Sequence, residues 1–176
     1  DRLNPSEGYI AFGQLAVAAE QFASDQDFVR LYGRVQKLWS PSRENLFSAR
    51  FEVGTVVASA RRDIPQDYLF RAGGTNSLRG FDFLDLGVID QGVLVGGRRV
   101  MIGSLEYTRW FDGGPLGAAV FTDVGDVSDN WSDFDPKPAI GVGVRYKTPA
   151  GPIAFDVAKA ADQDNLRIHF ALGVAF

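Results

Sequence analysis

The sequence closes on "LRIHFALGVAF", in which every second residue is a large apolar side chain: Leu166, Ile168, Phe170, Leu172, Val174 and Phe176. Arg167, His169, Ala171, Gly173 and Ala175 take the positions between them. A period of two fits a β-strand, whose successive side chains point to opposite faces, and not a helix, whose apolar stripe recurs at three and four. The same alternation runs back along the chain. Ile153, Phe155 and Val157 oppose Ala154, Asp156 and Ala158, and Ile140, Val142, Val144 and Tyr146 oppose Gly141, Gly143 and Arg145. Further segments span Leu116 to Val124, Val100 to Trp110, Leu46 to Val57, Phe28 to Trp39 and Tyr9 to Glu20. The prediction is an all-β chain of eight strands, most of them about 10 residues long.

The connections alternate in length. "SPSREN", "DGGP" and "KTPAG" are short, whereas "QFASDQD", the stretch of about 58–98 around "SLRGF", "GDVSDNWSDFDPK" and "AADQDN" are long. In an antiparallel up-and-down order the short turns share one rim and the long loops the other. Trp39, Trp110 and Tyr146 then gather near the short-turn rim, with Tyr9 and Phe176 beside them. Short turns on one side, long loops on the other, rim aromatics and apolar alternate faces describe a transmembrane β-barrel. The opposite face is polar, as a lumen should be: Gln14, Glu20, Arg30, Arg34, Gln36, Arg50, Glu52, Glu106, Asp123, Arg145, Asp156, Arg167 and His169 fall on it. A soluble sandwich with its apolar face turned inward is the competing fold, since alternation does not say which side is wet. Strands this long, ending in aromatics at one rim, favour the membrane barrel.

Composition excludes several function classes. A net charge of -4 with pI near 5.0 supplies no basic field for nucleic acid. The absence of cysteine rules out a disulfide framework and a thiolate metal site. No stretch approaches the run of about 18 apolar residues of a membrane helix, and "DRLNPSEGY" has no signal-peptide pattern. One domain spanning 1–176 is expected, with no linker and no low-complexity tract.

Inside the longest loop, "GGTNSLRGFDF" starts as a flexible turn but centres on Leu78, Arg79, Gly80 and Phe81, a cation among apolar residues. Glu106 and Asp123 lie on the polar face of adjacent predicted strands. A loop folded inward would bring Arg79 to both, and a guanidinium can engage two carboxylates with its fork of donors. Gly80 would allow the tight backbone turn, and Phe81 would pack against the interior. Other candidate sites are weaker. The run Asp123, Asp126, Asp129, Asp133 and Asp135 lacks the glycine and terminal glutamate of an EF-hand and reads as a solvated outer loop. His169 is the only histidine, which excludes a multi-histidine metal site and reads as a lumen residue. Asp156 and Glu106 stand on different strands of a charge-mixed wall, a poor pair for hydrolysis. "GVGVRY" lies within a strand with no helix after it, so it is no phosphate loop. No catalytic residue, metal or cofactor is predicted.

"SLRGF" resembles the loop motif of the outer-membrane assembly superfamily that includes BamA, TamA and the two-partner secretion transporters, in which Val or Ile precedes Arg, Gly and then Phe or Tyr. Leu78 departs mildly from the first position; Arg79, Gly80 and Phe81 fit. "FRAGGTNS" is similar to the approach to this loop in TamA-like members, "GSLEY" (Gly103 to Tyr107) to the strand that supplies a glutamate, and "FTDVGD" to the Phe-x-Asp-x-Gly strand motif. The resemblance implies that Arg79 is held by Glu106 and Asp123 on a wall that includes Gly103, Phe121 and Gly125. It continues through "GVGVRYKTPAGPIAFDVA" to the final "GVAF", where Phe170, Leu172, Val174 and the aromatic Phe176 resemble the terminal assembly signal of outer-membrane proteins and form the seam strand.

The resemblance covers the whole chain but about the last half of the family's barrel: members of this type have sixteen strands preceded by periplasmic POTRA domains, and no POTRA domain is expected in 1–176. A closed eight-stranded barrel and half of a larger one, completed by a second copy, both remain compatible with the strand count. By resemblance the chain is an integral protein of the bacterial outer membrane. It is expected to help insert, assemble or translocate other outer-membrane proteins without enzymatic chemistry. Its partners would be the lipid bilayer, client outer-membrane proteins and, where POTRA domains exist in the full-length protein, a periplasmic or inner-membrane component. A passive barrel or transport pore, similar to two-partner secretion transporters, is the alternative.

Overall fold

The structure, a computed structural model, describes residues 6–19, 27–149 and 151–173. Eight long strands carry the fold: β1 (Gly8–Ala18), β2 (Phe28–Ser42), β3 (Asn45–Ala58), β6 (Arg99–Trp110), β7 (Leu116–Ser128), β8 (Lys137–Thr148), β9 (Gly151–Ala160) and β10 (Arg167–Leu172). Two short strands, β4 (Val88–Asp90) and β5 (Val93–Val95), form a hairpin inside the longest loop. The long strands make one antiparallel sheet in the order β1-β2-β3-β6-β7-β8-β9-β10, each paired with its neighbour in the chain once the loop hairpin is set aside. No ladder joins β1 to β10 among the described residues, so the sheet is an open wall and not a closed eight-stranded barrel.

Strand parity sorts the side chains as the alternation requires. Leu105, Val120, Ile140, Val142, Val144, Phe155, Ile168, Phe170 and Leu172 are exposed on the outward face. Glu52, Asp123, Arg145, Asp156 and His169 are buried on the other. Apolar outside and ionic inside is the inverse of a soluble core and suits a lipid exterior. Val174 and Phe176 of the terminal strand, and Glu20, lie outside the described residues.

Of the rim aromatics, Tyr9, Trp39 and Tyr146 are exposed on the outward face near the short turns. Trp110 is a correction. It has the same parity along β6 as Glu106 and Thr108, is only 5% exposed, and lies under Lys147, whose Nζ sits 4.0 Å from its ring centroid. The outward aromatic row runs instead through Trp39, Phe47 and Tyr107, with ring centroids 5.3 Å and 4.9 Å apart.

The loop 59–98 is structured rather than loose. Its hairpin turns at Gln91 and Gly92, both with positive φ (53° and 81°), which matches the twist of the two strands it joins. Isolated bridges tie Phe70 to Gly97 and Ala72 to Leu86. Leu78, Phe81, Ile64, Leu69, Phe70 and Leu86 of the loop pack on Val56, Val100, Ile102, Val127, Ala139 and Ala160 of the wall, and together they form the hydrophobic core. The inner face is therefore divided. It is apolar toward the long-loop rim, where the loop rests, and ionic farther down.

Candidate functional site

The loop and the ionic part of the wall meet at Arg79. Its guanidinium donates through Nε and Nη2 to the two oxygens of Asp123 at 2.8 and 2.9 Å, through Nη1 to Glu106 at 2.6 Å and Asp156 at 3.3 Å, and through Nη2 to Ser104 at 3.3 Å. The backbone N–H of Arg79 adds a bond to Asp123 at 3.0 Å. Its Cζ lies 3.4 Å from the Phe121 ring centroid, so the cation is capped on one face by an aromatic ring.

A second cation completes the cluster. Arg145 donates through Nε and Nη2 to Glu106 at 3.0 and 2.8 Å, and its Nη1 and Nη2 reach Asp156. Two guanidiniums thus interleave with three carboxylates contributed by β6, β7 and β9. Ser104 donates to Asp123 at 2.6 Å and Thr108 to Glu106 at 3.3 Å, using lone pairs the arginines leave free. Burial by itself would lower the Arg79 pKa, but the hydrogen bonds and charges of Asp123 and Glu106 raise it above the ordinary arginine value. The cation is permanent.

The flanking loop residues are fixed as well. Gly80 has φ +99° and its N–H donates to Nε2 of His169 at 3.0 Å; a Cβ there would come within 2.9 Å of Ala139 Cβ and 3.0 Å of Ala160 N. Leu78 and Phe81 are buried on either side. Arg50 of β3 donates to the carbonyls of Asn76 and Ser77, holding the approach to the motif from the opposite side. Arg167 pairs with Asp82 at 3.0 Å.

The structure therefore brings Leu78, Arg79, Gly80 and Phe81 together with Glu106, Phe121, Asp123 and Gly125, where the missing side chain of Gly125 leaves room for Leu78. Gly103 does not join them. It is paired with Phe51 and Val124 on the outward face, one residue out of phase with Ser104 and Glu106. Phe170 and Leu172 are exposed on the outward face of β10 and make no part of this cluster. Asp156, Arg145 and Ser104 belong to the cluster although the sequence pairs Arg79 with two carboxylates only. Their inward parity was a usable signal. The acidic outer run is likewise engaged: Asp129 accepts from Arg61 at 2.9 Å, and Asp126 accepts from the backbone N–H of Asp135 at 2.8 Å. Because guanidiniums hold every carboxylate of the inner cluster, none is poised as a base. The arrangement is a mechanical latch.

A one-sheet wall, apolar outside and ionic inside, with a loop latched to its inner face, defines a transmembrane β-barrel protein. The family model of the Omp85 superfamily domain matches residues 1–176. The outer membrane protein assembly factor BamA of Nitratidesulfovibrio vulgaris (strain Hildenborough) is 28% identical over 167 residues, which cover 86% of this chain and 21% of the relative. The crystal structure of BamA from Haemophilus ducreyi lacking POTRA domains 1-3 superposes with a TM-score of 0.79 at 19% identity, over 98% of this chain and 39% of that one. The chain belongs to the Omp85 superfamily and is an integral, non-enzymatic β-barrel of the bacterial outer membrane. It spans about a fifth of the length of the curated relative.

Proposed function

We propose that this barrel assists the insertion and assembly of other outer-membrane proteins by a non-covalent route. The observation that carries the reading is a contrast within the wall. Strands β6, β7 and β9 are cross-tied through Arg79, whereas the two terminal strands each have one ladder among the described residues, β1 with β2 and β10 with β9, and that of β10, from Arg167 to Leu172, is the shortest of the wall. A rigid wall that ends in a free edge offers N–H and C=O groups to an incoming client strand. Thinning of the bilayer beside that edge would ease client entry. The relative's name, an assembly factor, agrees with this role. The loop 59–98 serves as the plug that keeps the wall in shape. Further strands or a second copy complete the barrel, and POTRA domains, where present in the full-length protein, recruit periplasmic or inner-membrane partners.

A passive barrel or pore is the second reading, favoured by the charge compensation of the latch, which stabilises the wall whether or not a client arrives. Both are tested by folding an unrelated outer-membrane barrel into liposomes that contain this protein, its Arg79→Ala variant or a plain eight-stranded barrel. Faster client folding with the parent alone supports assembly. Rates equal to those with the plain barrel overturn it and leave the passive reading.

A further inference from the structure

The outward face is indented near the long-loop rim. Gly13 of β1 pairs with Gly33 of β2, and Gly33 pairs in turn with Val53 of β3. These residues, with Leu15, Leu31 and Trp131, bound a hollow of about 470 Å³. That size falls within the roughly 300–1,000 Å³ of small-ligand sites. The odd-numbered residues of these three strands share the outward face, so the hollow opens where lipid chains run. Trp131, in the loop between β7 and β8, overhangs it and packs on Phe134 with ring centroids 5.9 Å apart.

Beside the upper edge of the hollow, one strand over from Thr55, stands a cation. Arg99 is the first residue of β6 and pairs with Thr55, another lining residue, which puts both side chains on the same face. Arg99 donates through Nη1 to the carbonyls of Val56 and Arg98. Its Nε is sealed by the protein, its Nη2 makes no hydrogen bond among the described residues and is not buried with it, and no carboxylate lies within 4.0 Å. The nearest acids are committed elsewhere, Asp129 to Arg61 and Arg98 and Asp126 to the backbone of Asp135. A half-buried guanidinium at the upper edge of an apolar band about 25 Å tall stands at lipid-headgroup depth. An anion that brings its own apolar chain would satisfy both features at once, since a phosphate oxygen can accept a charge-assisted bond from the open Nη2 and the chain fills the indentation.

We propose that Arg99 and the glycine-lined hollow hold one phosphate-bearing lipid of the leaflet at the long-loop rim, with its phosphate on Arg99 and an acyl chain beneath Trp131. The site is independent of the inner latch and of any client activity.

The test places the protein in nanodiscs of phosphatidylcholine with a minor fraction of phosphatidylglycerol and counts retained lipids by native mass spectrometry. The parent should retain phosphatidylglycerol about tenfold better than phosphatidylcholine, a difference of about 1.4 kcal/mol. Arg99→Gln should abolish the preference. Gly33→Leu should reduce retention of both lipids; a Cβ at Gly33 meets only the Phe12 carbonyl, at 4.0 Å, an ordinary contact, and heat-modifiable gel mobility checks that the variant folds. Absence of a preference in the parent, or an undiminished preference in Arg99→Gln, overturns the proposal. Displacement of the lipid by inorganic phosphate would reduce the site to an anion site and overturns it too.

Discussion

Arg79 and Asp123 are joined by three hydrogen bonds, one from the backbone N–H and two from the guanidinium, and Asp123 is fully buried. The paired oxygens of one carboxylate thus fix both the position and the orientation of the loop. Removing the side chain in Arg79→Ala leaves Asp123 buried with its charge uncompensated, which should cost about 3–5 kcal/mol. Arg79→Lys should recover little, because a point-charge ammonium does not present the planar fork. Urea unfolding in detergent micelles, with protease protection of the loop as second readout, checks this. An unchanged midpoint in Arg79→Ala would show that the latch contributes nothing to stability.

Gly80→Ala tests the backbone rather than the charge. The positive φ and the approach of Ala139 and Ala160 together should cost about 1–3 kcal/mol. The bond from Gly80 N–H to His169 should weaken with them. Adding Ala139→Gly removes one of the two clashes but not the strained φ or the contact with the Ala160 backbone, so rescue should be partial. Full rescue in thermal melts would assign the whole penalty to the side-chain clash.

Much of this site was legible from parity. Glu106, Asp123, Arg145, Asp156 and His169 each occupy the polar phase of a strand, and the same rule, carried along β6 in steps of two from Glu106, sets Trp110 inside and Gly103 outside. Rim position and motif similarity point the other way for these two residues, and phase is the stronger constraint because a strand cannot turn one side chain without turning its neighbours. Side-chain reach is different. Whether Arg79 meets two carboxylates or three depends on how far the loop enters, and no local pattern encodes that. Nor did the inner polar face reveal its apolar upper half, since Val100 and Ile102 alternate with Arg99, Met101 and Gly103 and Val127 stands between Asp126 and Ser128, so at this end of the wall the inward phase is the apolar one and the outward phase is mixed. The hairpin Val88–Val95 escaped for the opposite reason. Its strands are three residues each, too short for alternation to show.

Phe121 lies between the latch and Gly141. A Cβ at Gly141 would fall into the Phe121 ring, whose face supports Arg79. Gly141→Ala should therefore destabilise by about 1–3 kcal/mol through overpacking. Phe121→Leu alone should also destabilise, yet it should relieve Gly141→Ala when combined. A double-mutant cycle by urea titration measures the coupling, and strict additivity would show that the ring does not press on this position.

The outer end of the loop should respond to acid. Arg61 donates to Asp90 at 2.7 Å and holds the Asp90 carboxyl below its ordinary value. A depressed carboxyl pKa contributes stability above the unfolded value of about 3.9, and that contribution is lost as pH falls through the lower folded value. Hydrogen exchange of the hairpin should stay constant from neutral pH down to roughly pH 4 after correction for intrinsic rates, then accelerate. Asp90→Asn should flatten this dependence and speed exchange at neutral pH. An unaltered acid profile in Asp90→Asn would remove the pair from the account.

The sidedness of the wall predicts opposite environments for two residues near each other in the sheet. Val144, 49% exposed on the outward face of β8 and one outward position in from the rim residue Tyr146, should meet hydrocarbon short of the midplane, and Val144→Arg should cost about 1–2 kcal/mol when the protein folds into a bilayer. Polar headgroups and water accommodate the same arginine far better in small detergent micelles, so the loss should shrink there. Trp110, turned inward and buried, should behave as a core residue, and Trp110→Ala should cost about 3–5 kcal/mol in bilayer and micelle alike. Folding titrations of both variants in both media separate the two cases. If Trp110→Ala were harmful only in the bilayer, the tryptophan would be an interface anchor after all, and the phase of β6 at its lower end would have to be reversed.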